Sequence, residues 1–351
     1  MTGRPLCVVG LGLIGGSLVR AAQRAGWKVQ GTATSTADVG AAQQAGFDVT
    51  PVLEDALCAA ADSGALVVLA VPLPAVPEVL SVVARRAPRC LLTDVVGVKR
   101  PVATEVARHT PLARYVGSHP MAGTSGSGWT AGSAELFQGA SWVVGTDEGT
   151  DPAVWARVAR LVLDCGAQVV PATADDHDAA VARVSHLPHL LAEVLASVGA
   201  DGGPLALALG AGSFSDGTRV AGSPPDLVRA MCEGNRGALL AAVDDALGRL
   251  GAARGSLAST GGLAATVRAG HLARRAFDAA RGNRTGNTGD PGADNQTADI
   301  DAATDIEAAT DMDAATDIDL DAAGALERLR EIGRSGGRVV ALRGTRCRVE
   351  L

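Results

Sequence analysis

Gly10-Leu11-Gly12-Leu13-Ile14-Gly15-Gly16-Ser17 follows the apolar run Leu6-Cys7-Val8-Val9 and precedes Leu18, Val19, Ala21 and Ala22, which recur at helical spacing. A G-x-G-x-x-G pattern between a strand and a helix is the context in which it binds a dinucleotide. Gly10 permits the tight turn, Gly12 lets a pyrophosphate approach the backbone, and Gly15 lets the helix pack closely on the strand. The helix that begins near Leu13 and Ile14 offers free N–H groups and the positive end of its dipole to the phosphates.

A second strand is expected over residues 28–32. A site built strictly for NAD ends that strand at a carboxylate that bonds the adenosine ribose. Here the chain reads Ala33-Thr34-Ser35-Thr36, with no acid until Asp38 and no arginine ready for a 2'-phosphate. NAD and NADP both remain open. Thr34 and Val71, the latter at the end of a buried strand over 66–71, join Gly10, Gly12, Leu13, Ile14 and Gly15 as candidate cofactor contacts. Strands and helices go on alternating to residue 170, which predicts an α/β, Rossmann-like, doubly wound sheet.

Within that alternation stands Ser118-His119-Pro120-Met121-Ala122-Gly123-Thr124. The histidine is expected at the carboxyl end of a strand, where the crevice of such a sheet opens. An imidazole titrates near neutrality, so His119 can take a proton from a substrate hydroxyl. Thr124, in the small-residue loop behind it, is a candidate substrate contact.

The character changes at Ala174, and to about residue 281 the spacing is helical throughout. Four segments are therefore expected: a dinucleotide-binding domain over 1–172, an all-helical substrate and dimerisation domain over 173–281, a disordered acidic insert over 282–321, and a C-terminal helix and tail over 322–351. In the helical domain, Ser185-His186-Leu187-Pro188-His189 puts His186 and His189 three apart on one face, with Pro188 kinking the helix beside them. They either line a cleft or pack. They lack a third partner at a recognisable ligand spacing, so no metal is expected. Arg219, in a polar break between helices, is the candidate anchor for a carboxylate, which a guanidinium binds through two parallel bonds.

The insert echoes itself every six residues, as in Thr304-Asp305-Ile306-Glu307, Thr310-Asp311-Met312-Asp313 and Thr316-Asp317-Ile318-Asp319. Repelling charges and thin apolar content argue against a packed core, so removing residues 286–319 is expected to leave activity and thermal midpoint nearly unaltered.

Composition narrows the classes further. Hydrophobic residues make up 47% of the chain, enough for sizeable cores, and aromatics only 3%. The net charge of -7 is uneven, because eleven of the acidic residues lie between Asp290 and Asp321 and leave 27 acids against 31 basic residues elsewhere. That balance gives no nucleic-acid signal. The longest apolar run, residues 65–76, is interrupted by Pro72 and Pro74 and is too short for a bilayer. Six cysteines with no Cys-x-x-Cys pair, and no long apolar region ahead of the first strand, lead to the expectation of a cytoplasmic protein with reduced thiols.

Taken together, residues 10–17, Thr93-Asp94 with Val98-Lys99, residues 118–123 with Ser127-Gly128, His177-Asp178, residues 185–189 and Thr218-Arg219-Val220-Ala221 resemble the prephenate and arogenate dehydrogenase family of tyrosine biosynthesis. The resemblance covers about residues 6–240. It implies NAD(P)-dependent oxidative decarboxylation of prephenate, or of arogenate, in a homodimer formed through the helical domain. It also implies His119 as the base, Arg219 as the carboxylate anchor, and His189 or His186 in the same cleft. Gly97, Ser125 and Val228 stand where the family often has serine, glutamate and tryptophan. A β-hydroxyacid dehydrogenase would instead need a lysine base in the helical domain, and no lysine occurs from Ala174 onward.

Overall fold

The computed structural model describes residues 3–124, 126–282 and 316–351. The first apolar run forms β1 (Pro5–Val9), and the strands after it are β2 (Lys28–Thr32), β3 (Val49–Thr50), β4 (Leu66–Leu69), β5 (Leu91–Asp94) and β6 (Arg114–Val116). They make one parallel sheet in the order β3-β2-β1-β4-β5-β6. Helices α1 (Leu13–Arg24), α2 (Thr36–Gln44), α3 (Leu53–Ser63), α4 (Val76–Arg86) and α5 (Arg100–His109) are the crossovers. The order reverses at β1 and β4, so the ends of these two strands open the crevice where ligands of such sheets bind. Strands β1 and β4 are buried on both faces, as parallel strands covered by helices must be.

This is the expected doubly wound sheet, but it ends at β6 and the later strands do not join it. After β6 the chain continues into β7 (Ser118–Pro120), β8 (Ser141–Gly145), helix α6 (Pro152–Asp164) and β9 (Gln168–Ala172), which belong to a second sheet. That sheet is mixed: β7 runs antiparallel to β8, and β8 parallel to β9. His119 therefore sits in the middle of a short strand of the second sheet, where the carboxyl end of a strand of the first was expected. Trp142, Trp155 and Phe137, all fully buried, fill the core that the second sheet and α6 share with the first sheet.

The helical region runs through α7 (Ala174–Val181), a π-turn over Ala182–His186, α8 (Leu187–Asp201), α9 (Gly203–Ala208), α10 (Gly212–Thr218), α11 (Pro225–Gly234), α12 (Arg236–Ser259) and α13 (Ala264–Gly282). The π-turn lies where Pro188 was expected to distort the helix. A proline has no N–H for the preceding turn and its ring crowds the carbonyl four residues back, so the ladder widens instead of breaking. The described residues form two compact units, one within residues 3–243 with 316–351 and one within residues 244–282. In the second, the rest of α12 and α13 expose Leu247, Leu250, Leu257, Val267 and Leu272.

The C-terminal segment differs most from expectation. Thr316–Asp319, assigned to the acidic insert by its repeat, is strand β10, and α14 (Ala325–Arg334), β11 (Arg338–Arg343) and β12 (Arg346–Glu350) follow. The second sheet thereby extends to β10-β12-β11-β9-β8-β7. Asp317 and Asp319 stand opposite Arg348 and Arg346 across the strand pair, while Ile318 turns inward and is buried with Leu329, Val339 and Cys347. The last repeat thus escapes charge repulsion because β12 supplies arginines at the same period of two. Deleting through Asp319 would strip β12 of a strand, so the expectation of a neutral deletion does not hold for residues 316–319. The earlier repeats lie outside the described residues.

Helix α14 lies against β9 so tightly that a Cβ on Gly333 would sit 1.7 Å from the carbonyl oxygen of Pro171. Gly333→Ala should lower the thermal midpoint by roughly 2–12 °C, whereas Gly270→Ala in α13, where a Cβ meets nothing within 4 Å, should leave it unchanged or raise it slightly. Equal midpoints by differential scanning calorimetry would show that the C-terminal helix does not bear on the fold.

Candidate active site

At the amino end of α1 the three motif glycines do different work. Gly10 has φ +106°, and a Cβ there would lie 2.3 Å from the Ala70 carbonyl, so only glycine fits the turn. A Cβ on Gly15 would meet the Gly10 carbonyl at 1.9 Å, which is the close approach of helix to strand. Gly12, by contrast, has nothing within 4 Å of its Cβ position. Helix α1 has no side-chain cap and no acid in its first turn, so no capping side chain satisfies the N–H groups around Leu13 and Ile14. A pyrophosphate fits that cradle. Val71 packs beside Gly10, and Thr34 is exposed in the turn after β2.

Asp38, the first acid after β2, is already engaged: its carboxylate accepts the N–H of Trp129 at 2.9 Å. Trp129 is buried against Phe47, and the Arg20 guanidinium lies 3.5 Å above its ring. This anchor fastens the far end of the loop that leaves His119, a contact invisible in the sequence because its partners lie about ninety residues apart. Within that loop Thr124 is exposed, and its hydroxyl accepts the N–H of Gly126 in a local turn. The structure does not bring Thr124 into contact with His119.

Beneath His119 the strand is pinned by buried polar groups. The Ser118 hydroxyl donates to the Asp94 carbonyl at 2.6 Å and accepts from the Trp142 indole at 3.1 Å. The Lys99 ammonium donates to the Ser118 carbonyl at 2.7 Å and forms a buried ion pair with the Asp94 carboxylate, which also accepts from the Tyr115 hydroxyl at 2.6 Å. Burial lowers the Lys99 pKa against the pull of Asp94. Removing either partner would leave an uncompensated charge, so this pair fixes geometry more than it adds stability.

The chemistry-bearing arrangement is a chain of three side chains. His119 Nδ1 lies 2.9 Å from His177 Nε2, and His177 Nδ1 lies 2.7 Å from Asp178 Oδ1. Asp178 also accepts the backbone N–H groups of Lys99 at 2.8 Å and Arg100 at 2.9 Å, capping α5 from outside. Burial opposes the ionisation of Asp178, but its bonds from His177, Lys99 and Arg100 hold its carboxyl below the ordinary value. An ionised carboxylate only accepts, so His177 Nδ1 carries a proton. Burial lowers the His177 pKa despite Asp178, and the neutral ring then accepts at Nε2. His119 Nδ1 is accordingly the donor, and His119 Nε2 is left as a bare lone pair. That nitrogen faces Gly97, whose Cβ position lies 3.7 Å away. Burial, then the charges of His177, Lys99 and His186, push the His119 pKa well below 6.5. The half-buried ring is a free base at neutral pH.

His186 is buried in the π-turn, and its Nδ1 faces the side-chain amide of Asn235 at 3.1 Å. Burial brings its pKa down to about 4. His189, on α8, has a buried Nδ1 with no hydrogen-bond partner among the described residues. Arg219 stands exposed at the start of a 3-10 turn, Arg219–Gly222, that packs on α8. His177, Asp178 and Asn235 are the members that reasoning on spacing missed. The adjacent pair His177-Asp178 was a signal, but adjacency alone does not tell which strand it faces. Among the described residues no group of three or more His, Cys, Asp or Glu could hold a metal, and no helix is long and apolar enough to cross a membrane.

The switch-point crevice and its phosphate cradle are those of an NAD(P)-dependent oxidoreductase. Comparison with known proteins narrows the class. Residues 18–171 match the nucleotide-binding domain of prephenate dehydrogenase and residues 173–260 its dimerization domain. The chain is 32% identical to cyclohexadienyl dehydrogenase of Zymomonas mobilis, over 73% of this chain and 89% of that protein. Among solved structures, arogenate dehydrogenase of Synechocystis superposes with TM-score 0.60 at 28% identity, covering 80% of this chain and 99% of that one. Prephenate dehydrogenase of Aquifex aeolicus, crystallised with hydroxyphenyl propionate and NAD+, superposes with TM-score 0.72 at 23% identity, over 79% and 99%, a likeness of fold. The protein belongs to the prephenate dehydrogenase family.

The histidine cluster sets an acid limit on stability. His119, His177 and His186 have folded pKa values below that of a free imidazole. As pH falls below about 6.5 the unfolded chain takes up protons that the folded chain refuses, so stability present above that pH is lost, by up to ~1.4 kcal/mol per pH unit for each group. The loss extends to about pH 4 for His186. Thermal midpoints should therefore fall steadily from pH 6.5 to 4.5, and a flat midpoint over that window would contradict the neutral cluster.

Proposed function

We propose that this chain oxidatively decarboxylates prephenate to 4-hydroxyphenylpyruvate with NAD or NADP, supplying tyrosine biosynthesis as a homodimer joined through its helical domain. The observation that carries the reading is the Asp178-His177-His119 chain, which leaves His119 Nε2 as a bare nitrogen facing Gly97, just after β5 of the parallel sheet.

The nicotinamide ring, when bound, supplies the hydride acceptor. Gly10, Gly12, Leu13, Ile14 and Gly15 hold its pyrophosphate, with Thr34 near the adenosine ribose and Val71 lining the crevice. His119 Nε2 receives the proton of the substrate hydroxyl as hydride leaves the same ring carbon. The bond to the ring carboxylate then breaks, carbon dioxide departs, and the electron pair left behind completes the aromatic ring. The proton held by His119 returns to the phenolate oxygen, so charge and protons balance. His177 holds the His119 ring in register while Asp178 stabilises positive charge as it develops along the relay. Aromatisation drives the reaction, so no metal is called for. Arg219 binds a substrate carboxylate through its two-pronged guanidinium, and the unpartnered Nδ1 of His189 and the ring of His186 line the same cleft, with Thr124 at its rim.

The test is absorbance at 340 nm with prephenate and arogenate, each with NAD and with NADP, and identification of the product. Turnover with prephenate is expected, and His119→Asn should reduce it about 10²- to 10⁴-fold while nucleotide affinity persists. Turnover with arogenate alone would move the assignment to an arogenate dehydrogenase. Silence in all four, with nucleotide still bound, would mark an inactive relative. Unchanged turnover in His119→Asn would remove this base from the mechanism.

A further inference from the structure

Asn235, at the junction of α11 and α12, is 5% exposed and is not one of the residues to which the sequence assigns chemistry. Its side-chain nitrogen lies 2.7 Å from the backbone carbonyl oxygen of Asp178 and 3.1 Å from His186 Nδ1. The Asp178 carbonyl can only accept, so the amide must turn its NH2 group, not its oxygen, toward both neighbours. An NH2 group has two hydrogens and no lone pair to offer. His186 Nδ1 is therefore an acceptor, and the ring proton resides on Nε2.

We propose that Asn235 is a positioning residue that locks His186 in the Nε2–H tautomer, making it a neutral hydrogen-bond donor for an anionic group of the substrate. The inference rests on the proposed reaction for the identity of that group, but not for the tautomer itself. A neutral donor suits this place. A charged imidazolium beside His119 and His177 would repel the proton that the base must accept, whereas an N–H bond recognises a carboxylate oxygen without adding charge. The same amide ties the end of α11 to the backbone of Asp178, so the residue that orients the substrate donor also braces the residue that orients the base.

The test reads the ring nitrogens of 15N-histidine-labelled protein by NMR, with the His186 signals assigned by their loss in His186→Gln. The wild type without substrate should show His186 protonated at Nε2 and bare at Nδ1 at pH 7. Asn235→Asp, nearly the same shape, replaces the donor with an acceptor, so the single ring proton of His186 should move from Nε2 to Nδ1, which takes the donor away from the substrate. Removing such a buried donor should raise KM for prephenate roughly 5- to 100-fold, with a smaller change in kcat and with nucleotide affinity kept within about twofold. A wild-type His186 protonated at Nδ1 overturns the proposal whether or not the variant folds. An Asn235→Asp enzyme with unchanged KM, or one whose loss is wholly in kcat, overturns the role in substrate recognition. The tautomer is read without substrate, so its failure is distinguishable from an error in the proposed reaction.

Discussion

The carboxylate of Asp178 is the constraint on which the rest of the site depends. It is buried, yet it accepts from two backbone N–H groups at the start of α5 and from His177. Without such partners a buried charge would neutralise itself by taking up a proton. With them it stays ionised, and each proton placement along the chain to His119 follows by elimination. The interaction also joins two parts of the fold, because α5 belongs to the parallel sheet and α7 opens the helical region. One anion thus sets both the junction of the two regions and the chemical form of the base.

Other features serve the same geometry. The Lys99–Asp94 ion pair and the Ser118 hydroxyl hold β7, so the ring of His119 is presented from a strand and not from a mobile loop. On the opposite side, α14 presses on β9 through Gly333, and the exposed Arg334–Asp176 pair adds a modest tether at the start of α7. The C-terminal segment is therefore a continuation of the sheet that carries His119, although the family match ends at residue 260. In the π-turn, the widened ladder before Pro188 places His186 next to Asn235, and such turns recur at functional sites.

Much of this was legible in the sequence because it is local. The glycine motif reads directly as strand, turn and helix, and the open space at Gly12 is what that spacing requires. The switch at Ala174 from alternating to helical spacing follows from periodicity alone. What escaped was long-range. Strand β7 could not be told from the end of the strand before it because three residues between Gly117 and Met121 carry no alternation of their own; pairing with β8 makes them a strand of a second sheet. Strand β10 looked like part of an acidic repeat because its partner arginines, Arg346 and Arg348, come about thirty residues later. His177, Asp178 and Asn235 are polar residues in helical segments, where a solvated face is the ordinary outcome; only the meeting of α5, α7 and α11 buries them.

Burial and the chain that ends on Asp178 keep His119 unprotonated at neutral pH. The most direct test is the pH dependence of kcat/KM for prephenate, which reports the free enzyme's essential base. Activity should stay level from pH 8 down through 6.5 and decline only in more acid solution, because the His119 pKa lies well below 6.5. An acid limb centred at or above pH 7 would mean that His119 is readily protonated in the free enzyme, and it would contradict the relay on which the mechanism is built.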